Sequence, residues 1–169
     1  MSRLWLTIAC VVILSGCAPH RSDLASSLVS NQNTSLVAWL QQHPAFRVAS
    51  DDDCNCADDI KEMRESGAWG KPMPTFQPYS KIGDFNHDGF DDLAIIAIRK
   101  DDSSQRKFLI FNGPFSSQPR PPALSQDTYP AAALFYEPPE HPLIIGPFES
   151  EGCIITARNG RYILDCFEG

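Results

Sequence analysis

The sequence predicts an α+β fold in which short N-terminal helices pack on a single antiparallel sheet that is built from hairpins. Three observations predict it. Apolar residues at helical spacing occur in residues 34–44, and residues 56–67 have the acidic start and the glycine end of a second helix. From Tyr79 onward the apolar residues form short runs separated by turn-forming residues, which is typical of strands. The chain then closes on Asn159-Gly160 between two stretches of strand-like composition, which is the signature of a tight hairpin.

Residues 1–16 have the layout of an export signal. Arg3 precedes an apolar run, Leu4 to Leu14, that is too short to span a membrane and suits the core of a signal peptide. The run ends in Leu14-Ser15-Gly16-Cys17, which resembles a bacterial lipobox. The resemblance implies cleavage of a lipoprotein signal peptide before Cys17 and acylation of that cysteine, so that lipid would anchor the chain in a membrane. An ordinary secretory signal with a chance cysteine is the alternative.

Residues 17–33 are polar and lack a clear hydrophobic period, so we interpret them as a lipidated tether. Ala18 would follow the acylated cysteine. In enteric-type lipoproteins an aspartate at this position usually retains the protein in the inner membrane, so Ala18 implies an outer-membrane anchor facing the periplasm. Residues 34–169 then form one domain, because their number suits a single hydrophobic core.

The chain is acidic. Its formal net charge is −7, and this becomes −8 if Arg3 is removed with the signal peptide. A negative surface repels polyanions, so the charge disfavours nucleic acid and anionic lipid as partners. The expected membrane contact is therefore the lipid on Cys17.

Two helices are predicted before the strands. Thr34 can cap the first helix and Pro44 ends it. Asp58 and Asp59 suit the positive end of the dipole of the second helix, and Gly67 is a natural terminator. Strands are predicted at residues 79–85, 93–99, 108–113, 131–137 and 143–146, and most of the proline-rich segment 116–142 is predicted to be loop.

The Asn159-Gly160 turn sets the register of the C-terminal hairpin. A two-residue type I′ turn places Arg158 opposite Arg161, and counting outward places Cys153 opposite Cys166. Alternation makes the two cysteines a non-hydrogen-bonded pair with their Cα atoms about 4.5 Å apart, which is inside the disulfide range. One face of the hairpin should turn toward the core, and it carries Cys153, Ile155, Ala157, Tyr162, Leu164 and Cys166.

Four cysteines remain once Cys10 has left with the signal and Cys17 is acylated, and an even number in an exported protein indicates disulfides. If the hairpin pair forms, Cys54 is left to pair with Cys56 in a small ring. A competing arrangement ties each of these two cysteines to one hairpin cysteine. The stretch DDDCNCADD could instead hold copper or zinc through thiolates, although export favours the disulfide.

The stretch GDFNHDGFDDL, residues 83–93, has the spacing of a cation-binding loop. Oxygen-bearing side chains alternate at Asp84, Asn86 and Asp88, Gly89 follows at the turn, and Asp92 closes the series. Six to eight oxygen ligands at flexible geometry are what calcium prefers. An EF-hand would require a glutamate where this chain has Ile95, so the loop is not an EF-hand.

The spacing D-x-N-x-D-G-x-x-D-L between strands resembles the FG-GAP or VCBS repeat of integrin α-subunits and of many bacterial exported proteins. The resemblance covers residues 79–113 and implies that calcium is bound by Asp84, Asn86, Asp88, the carbonyl group of Phe90, and Asp92. His87 departs from the family pattern, since glycine is common there. A polar turn whose aspartates only cap backbone amides is the alternative.

The sequence has one such loop, and a propeller would need several blades, so we expect a single domain with one calcium loop. Motifs for hydrolase, metalloprotease or nucleotide chemistry are absent from the sequence. The expected function is a non-catalytic, calcium-stabilised envelope lipoprotein that binds a protein or glycan partner. The alternatives are an inhibitor or immunity-type protein acting on a cationic hydrolase, and, third, an enzyme.

Overall fold

The computed structural model describes residues 33–54, 56–67, 70–139, 141–148 and 152–167. The predicted signal peptide, Cys17 and the tether as far as residue 32 lie outside the described residues. Helix α1 spans Thr34–Gln42 and helix α2 spans Ala57–Glu65. A short 3-10 helix, Asp51–Asp53, precedes α2. The strands are β1 (Phe46–Val48), β2 (Ser80–Gly83), β3 (Asp92–Arg99), β4 (Arg106–Phe111), β5 (Leu124–Thr128), β6 (Ala133–Glu137), β7 (His141–Gly146), β8 (Cys153–Arg158) and β9 (Arg161–Cys166).

The described strands form two antiparallel sheets, so the prediction of a single sheet was wrong. The first sheet has the order β1-β3-β4-β5, with β2 also paired to β3. The second sheet has the order β6-β7-β8-β9. A second sheet is needed because β3 is apolar on both faces, so a packed layer must cover each face. The second sheet supplies one of these layers, and no pattern in β3 itself could reveal this.

Three clusters of buried side chains define the layers. The central cluster lies between the sheets and joins Ile96 and Phe108 of the first sheet to Leu134 and Ile145 of the second. An outer cluster packs α1 against the buried residues on the other face of β3 and β4, which are Leu93, Ile95, Ala97, Leu109 and Phe111. The other outer cluster packs α2 against β6 of the second sheet. The helices therefore cover opposite sides of a two-sheet sandwich rather than the same side of one sheet.

Helix α1 begins where its sequence predicts, but its cap is one residue earlier. The Asn33 side chain accepts hydrogen bonds from the backbone N–H groups of Ser35 and Leu36, both at 3.1 Å. Asn33 therefore occupies the role predicted for Thr34. The Thr34 hydroxyl instead donates to the carbonyl of Ser116 at 2.6 Å, which ties the helix to the segment after β4.

The C-terminal hairpin has the predicted register throughout, from Arg158 opposite Arg161 to Cys153 opposite Cys166. Asn159 and Gly160 both have positive φ, 52° and 73°, as a type I′ turn requires. Cys153 and Cys166 form a disulfide with their Cα atoms 3.9 Å apart, and Cys54 pairs with Cys56. The structure therefore has the first of the two predicted arrangements of the four cysteines.

The sequence analysis did not predict two of the strands. Strand β1 is short and follows α1 closely, and β5 lies within the segment 116–142 that its prolines marked as loop. Both are edge strands of the first sheet, where β1 pairs with β3 and β5 pairs with β4. Only these pairings, and not their own residues, identify them as strands. Of the helices that the structure describes, none is long and apolar enough to cross a membrane.

Candidate functional site

The acidic loop connects β2 to β3 at one end of the first sheet. Its two ends, Gly83 and Asp92, face each other as the last antiparallel pair of these strands. His87 and Gly89 have positive φ, 60° and 90°, so the backbone turns sharply at both positions. Histidine is among the residues that tolerate this conformation, which explains how the chain accommodates His87 where the FG-GAP pattern often has glycine.

Three side chains converge at the tip of the loop. Asp84 and Asn86 both accept a hydrogen bond from the backbone N–H of Asp88, at 3.0 and 2.9 Å. Asp84 also accepts from Gly89 N–H at 2.9 Å. The Asn86 amide donates to Asp88 Oδ2 at 3.0 Å. The loop therefore gathers the first three predicted ligands around one turn.

Asp92 lies beneath the loop and is fully buried. Its Oδ2 accepts hydrogen bonds from Phe85 N–H and from the Tyr162 hydroxyl, both at 3.0 Å. Its Oδ1 accepts from Gly113 N–H at 2.9 Å. Asp92 thus joins the start of the loop, the end of β4 and strand β9.

The pKa of Asp92 is raised, mainly because burial disfavours its charge, while its three hydrogen bonds act in the opposite direction. The charge of Asp88 raises this pKa further, so the loop carboxylates are close enough to repel one another. The pKa of Tyr162 is raised well above its ordinary value by burial and by the nearby Asp92, Asp88 and Asp84 carboxylates. Tyr162 is therefore a hydrogen-bond donor at any physiological pH.

The donor set of the loop has the chemistry that calcium selects. Asp84, Asn86, Asp88 and Asp92 supply carboxylate and amide oxygens, and the Phe90 carbonyl is the backbone oxygen predicted to complete them. Within the described ranges, no group of three or more histidine, cysteine, aspartate or glutamate side chains converges as a metal site. The Asp92 carboxylate is held by three protein donors, so its membership of the ligand set stays a prediction, as does calcium itself.

Two residues of this site, Asn112 and Tyr162, were missed in the sequence. The Tyr162 hydroxyl lies 2.9 Å from Asn112 Oδ1 as well as 3.0 Å from Asp92. The next residue, Gly113, lies very close to the backbone of Asp91. A Cβ atom at Gly113 would be 2.3 Å from the carbonyl oxygen of Asp91. Asn112 and Tyr162 are far from the loop in sequence, so no local sequence pattern predicted that they contact it.

The described histidines lie in separate elements. His43 follows α1, where its ring stacks on Trp39 with the ring centroids 4.2 Å apart. His87 is exposed in the acidic loop, and His141 begins β7. His20 lies outside the described residues.

Comparisons of the chain with protein-family models, with curated protein sequences and with solved structures found no significant match. The FG-GAP resemblance therefore depends on the loop motif and its flanking strands, and it stays a hypothesis.

Proposed function

We propose that the protein is a non-catalytic, calcium-stabilised lipoprotein of the cell envelope that presents a surface to a protein or glycan partner. The observation that carries the proposal is the hydrogen-bonding of Asp92. The same loop that offers Asp84, Asn86 and Asp88 to a cation is joined through Asp92 to Gly113, just after β4 of the first sheet, and to Tyr162 of the second sheet. A cation in this loop would hold the junction of the two sheets.

The stabilising effect of a cation follows from charge. Asp84 and Asp88 are brought within hydrogen-bonding range of the same backbone segment, and like charges at such distances repel. A divalent cation removes this repulsion and binds only the folded loop, so it stabilises the folded state by mass action. Its role in this proposal is structural, and it takes part in no reaction.

A thermal melt of the full chain tests the proposal, with calcium and then with excess chelator. Calcium at about a hundred times its dissociation constant adds about 2.7 kcal/mol to the free energy of unfolding, which raises Tm by several degrees. Asp88→Ala should abolish this shift. Asp91→Ala is the matched control, because Asp91 is an exposed neighbour outside the predicted ligand set. Equal shifts in both variants, or no shift in the wild type, would reject the calcium site.

The membrane anchor and location are part of the same proposal. The lipobox-like Leu14-Ser15-Gly16-Cys17 supports acylation at Cys17, and Ala18 supports an outer-membrane anchor with the domain in the periplasm. The two disulfides suit an oxidising compartment of this kind.

A second candidate is an inhibitor or immunity-type protein against a cationic hydrolase. Exposed acidic side chains favour it: Asp51 and Asp52 precede α2, Asp58 lies in its first turn, and Asp88 and Asp91 are exposed in the acidic loop. Such a surface attracts a basic protein through long-range forces that salt weakens. Binding of the full chain to a basic lysozyme-type hydrolase that weakens steeply with salt, together with loss of the hydrolase activity, would select this candidate over a glycan binder.

A further inference from the structure

The Cys54–Cys56 disulfide occupies a different position in the fold from the hairpin disulfide. It lies between the 3-10 helix Asp51–Asp53 and helix α2, and it closes a ring over a sequence separation of 2. Cys56 is the N-cap residue of α2, and its own side chain makes no capping hydrogen bond to the described residues. Ile60 N–H donates to the Cys56 carbonyl as the first intrahelical bond, and the three N–H groups before it have no intrahelical acceptor in an α-helix.

Two buried side chains, Tyr79 and Arg106, lie close to the segment that carries this cysteine pair. The Tyr79 hydroxyl is 4.0 Å from Cys56 Sγ, and Tyr79 is only 4 % exposed. The Arg106 guanidinium lies 5.7 Å from the centroid of the Tyr79 ring and is also 4 % exposed. Arg106 donates to the carbonyl of Asp53, next to Cys54, at 2.7 Å. In the described part of the chain its Nη1 has no hydrogen-bond partner.

Through its bond to the Asp53 carbonyl, Arg106 places a buried cation next to the backbone of Cys54, and such a cation suits a group that can become negative. The neighbouring carboxylates are partly compensated, because Asp53 is bound by Arg47 and Asp51 by Arg64. Asp58 and Asp59, in the first turn of α2, oppose a negative charge on Cys56. A helix N-terminus and a nearby arginine are the features that stabilise a thiolate.

We propose that Cys54–Cys56 is an exchange-active disulfide that accepts electrons from a dithiol, a property beyond the scaffold function. A thiolate of the dithiol attacks Cys54 Sγ, a mixed disulfide forms at Cys54, and Cys56 leaves as the thiolate. The second thiolate of the dithiol then attacks the other dithiol sulfur, the one bonded to Cys54, so that a disulfide forms within the dithiol and Cys54 leaves as a thiolate. The dithiol is oxidised to a disulfide, while Cys54 and Cys56 together gain two electrons and the two protons.

Cys56 is the leaving group because its environment can hold the charge. The α2 N–H groups and the Tyr79 hydroxyl can both donate to the Cys56 thiolate, and the more stable thiolate leaves faster. Burial raises the pKa of Tyr79, so the hydroxyl keeps its proton for this purpose. Tyr79 is a positioning residue here, since it acts on the leaving sulfur rather than on the dithiol.

The second disulfide is an internal reference. The hairpin register holds Cys153 opposite Cys166, so the ladder itself favours re-formation of that bond. Cys166 is exposed, whereas Cys54 and Cys56 are both half-buried. Greater exposure would make the hairpin disulfide the faster of the two to be reduced, so reduction of Cys54–Cys56 at a lower dithiothreitol ratio at equilibrium would not be a consequence of exposure.

The test equilibrates the full chain with graded ratios of reduced to oxidised dithiothreitol, followed by alkylation and peptide-resolved mapping of each cysteine. Peptide mapping separates the four disulfide cysteines from Cys10 and Cys17. Cys54 and Cys56 should become reduced at a ratio at least about tenfold lower than Cys153 and Cys166, with the fold retained by circular dichroism. Reduction of both pairs together, of the hairpin pair first, or only with unfolding would overturn the proposal.

Tyr79→Phe tests the assignment of the leaving sulfur, because it removes the hydroxyl and keeps the ring. Loss of one hydrogen bond to a charged sulfur should slow reduction of Cys54–Cys56 by about fivefold or more. Tyr129→Phe, at a tyrosine that is 41 % exposed, is the matched control and should leave the rate unchanged. Equal rates in wild type and Tyr79→Phe would overturn Cys56 as the leaving thiolate.

Discussion

The hydroxyl of Tyr162 lies 3.0 Å from Oδ2 of Asp92, and this contact joins the last strand of the second sheet to the acidic loop of the first. The two residues are far apart in sequence, and neither belongs to a local motif of the other. Through this pair the C-terminal hairpin, with its disulfide, and the predicted cation loop become one structural unit.

Tyr162→Phe should therefore destabilise the protein by about 1–3 kcal/mol, because it leaves the buried Asp92 carboxylate without one of its three donors. Urea unfolding measures the loss. Tyr129→Phe, at an exposed tyrosine, should change the free energy of unfolding by less than about 0.5 kcal/mol. An equally small effect at Tyr162 would show that the contact contributes little.

Gly113→Ala should be strongly destabilising through a steric clash. Its Cβ would lie 2.3 Å from the carbonyl oxygen of Asp91, a backbone atom that cannot rotate away. The expected cost is about 2–3 kcal/mol by urea unfolding, with a weaker calcium response if the loop site exists. Gly160→Ala is the comparison, since its φ of 73° brings backbone strain but no atom lies within 4 Å of the added carbon. If Gly160→Ala costs as much, the close approach at Gly113 is not the cause.

Asp53 should make stability depend on acid pH. Hydrogen bonds from Arg47, at 2.5 and 2.6 Å, lower the pKa of Asp53 to about 2 in the folded state. A carboxylate with a lowered folded pKa contributes stability above its unfolded pKa of about 4, and this contribution is lost as the pH falls toward 2. Asp53→Asn should lower the free energy of unfolding by about 1 kcal/mol at neutral pH. It should also flatten the dependence of that free energy on pH between about 4 and 2.

The control for that profile is Asp52→Asn, which makes the same charge change at an exposed neighbour. It should leave the slope of unfolding free energy against pH between about 4 and 2 as it is in the wild type. Parallel profiles for the two variants would mean that the Arg47 pair does not stabilise the fold.

Cys17→Ser should release the protein from the membrane, because the expected anchor is the lipid carried by this one residue. Fractionation of cells and labelling with a fatty acid analogue measure the change. Cys10→Ser, within the predicted signal, is the matched control and should leave both labelling and membrane attachment intact. Membrane attachment that survives Cys17→Ser would reject lipidation as the anchor.

Much of the local structure was predictable from the residues that form it. The Asn159-Gly160 turn alone determined the hairpin register and with it the Cys153–Cys166 pair. The first helix was predicted from its apolar spacing, the second from its acidic start and Gly67, and β3 from its continuous run of branched residues. The convergence of Asp84, Asn86 and Asp88 followed from their alternation before Gly89, because turn geometry acts over a few residues.

The tertiary structure alone decided how these pieces meet. An apolar strand such as β3 must be covered on both faces, yet its residues do not say that α1 covers Ile95 and a second sheet covers Ile96. Edge strand β5 exists because β4 has a free edge, against the weak preference of its own residues. Likewise, the burial of Asp92 under Tyr162, and of Arg106 behind Cys56, arises from packing between distant segments. Turns and hairpins are determined by short-range backbone geometry, whereas these contacts depend on which apolar faces close together, and that choice belongs to the whole chain.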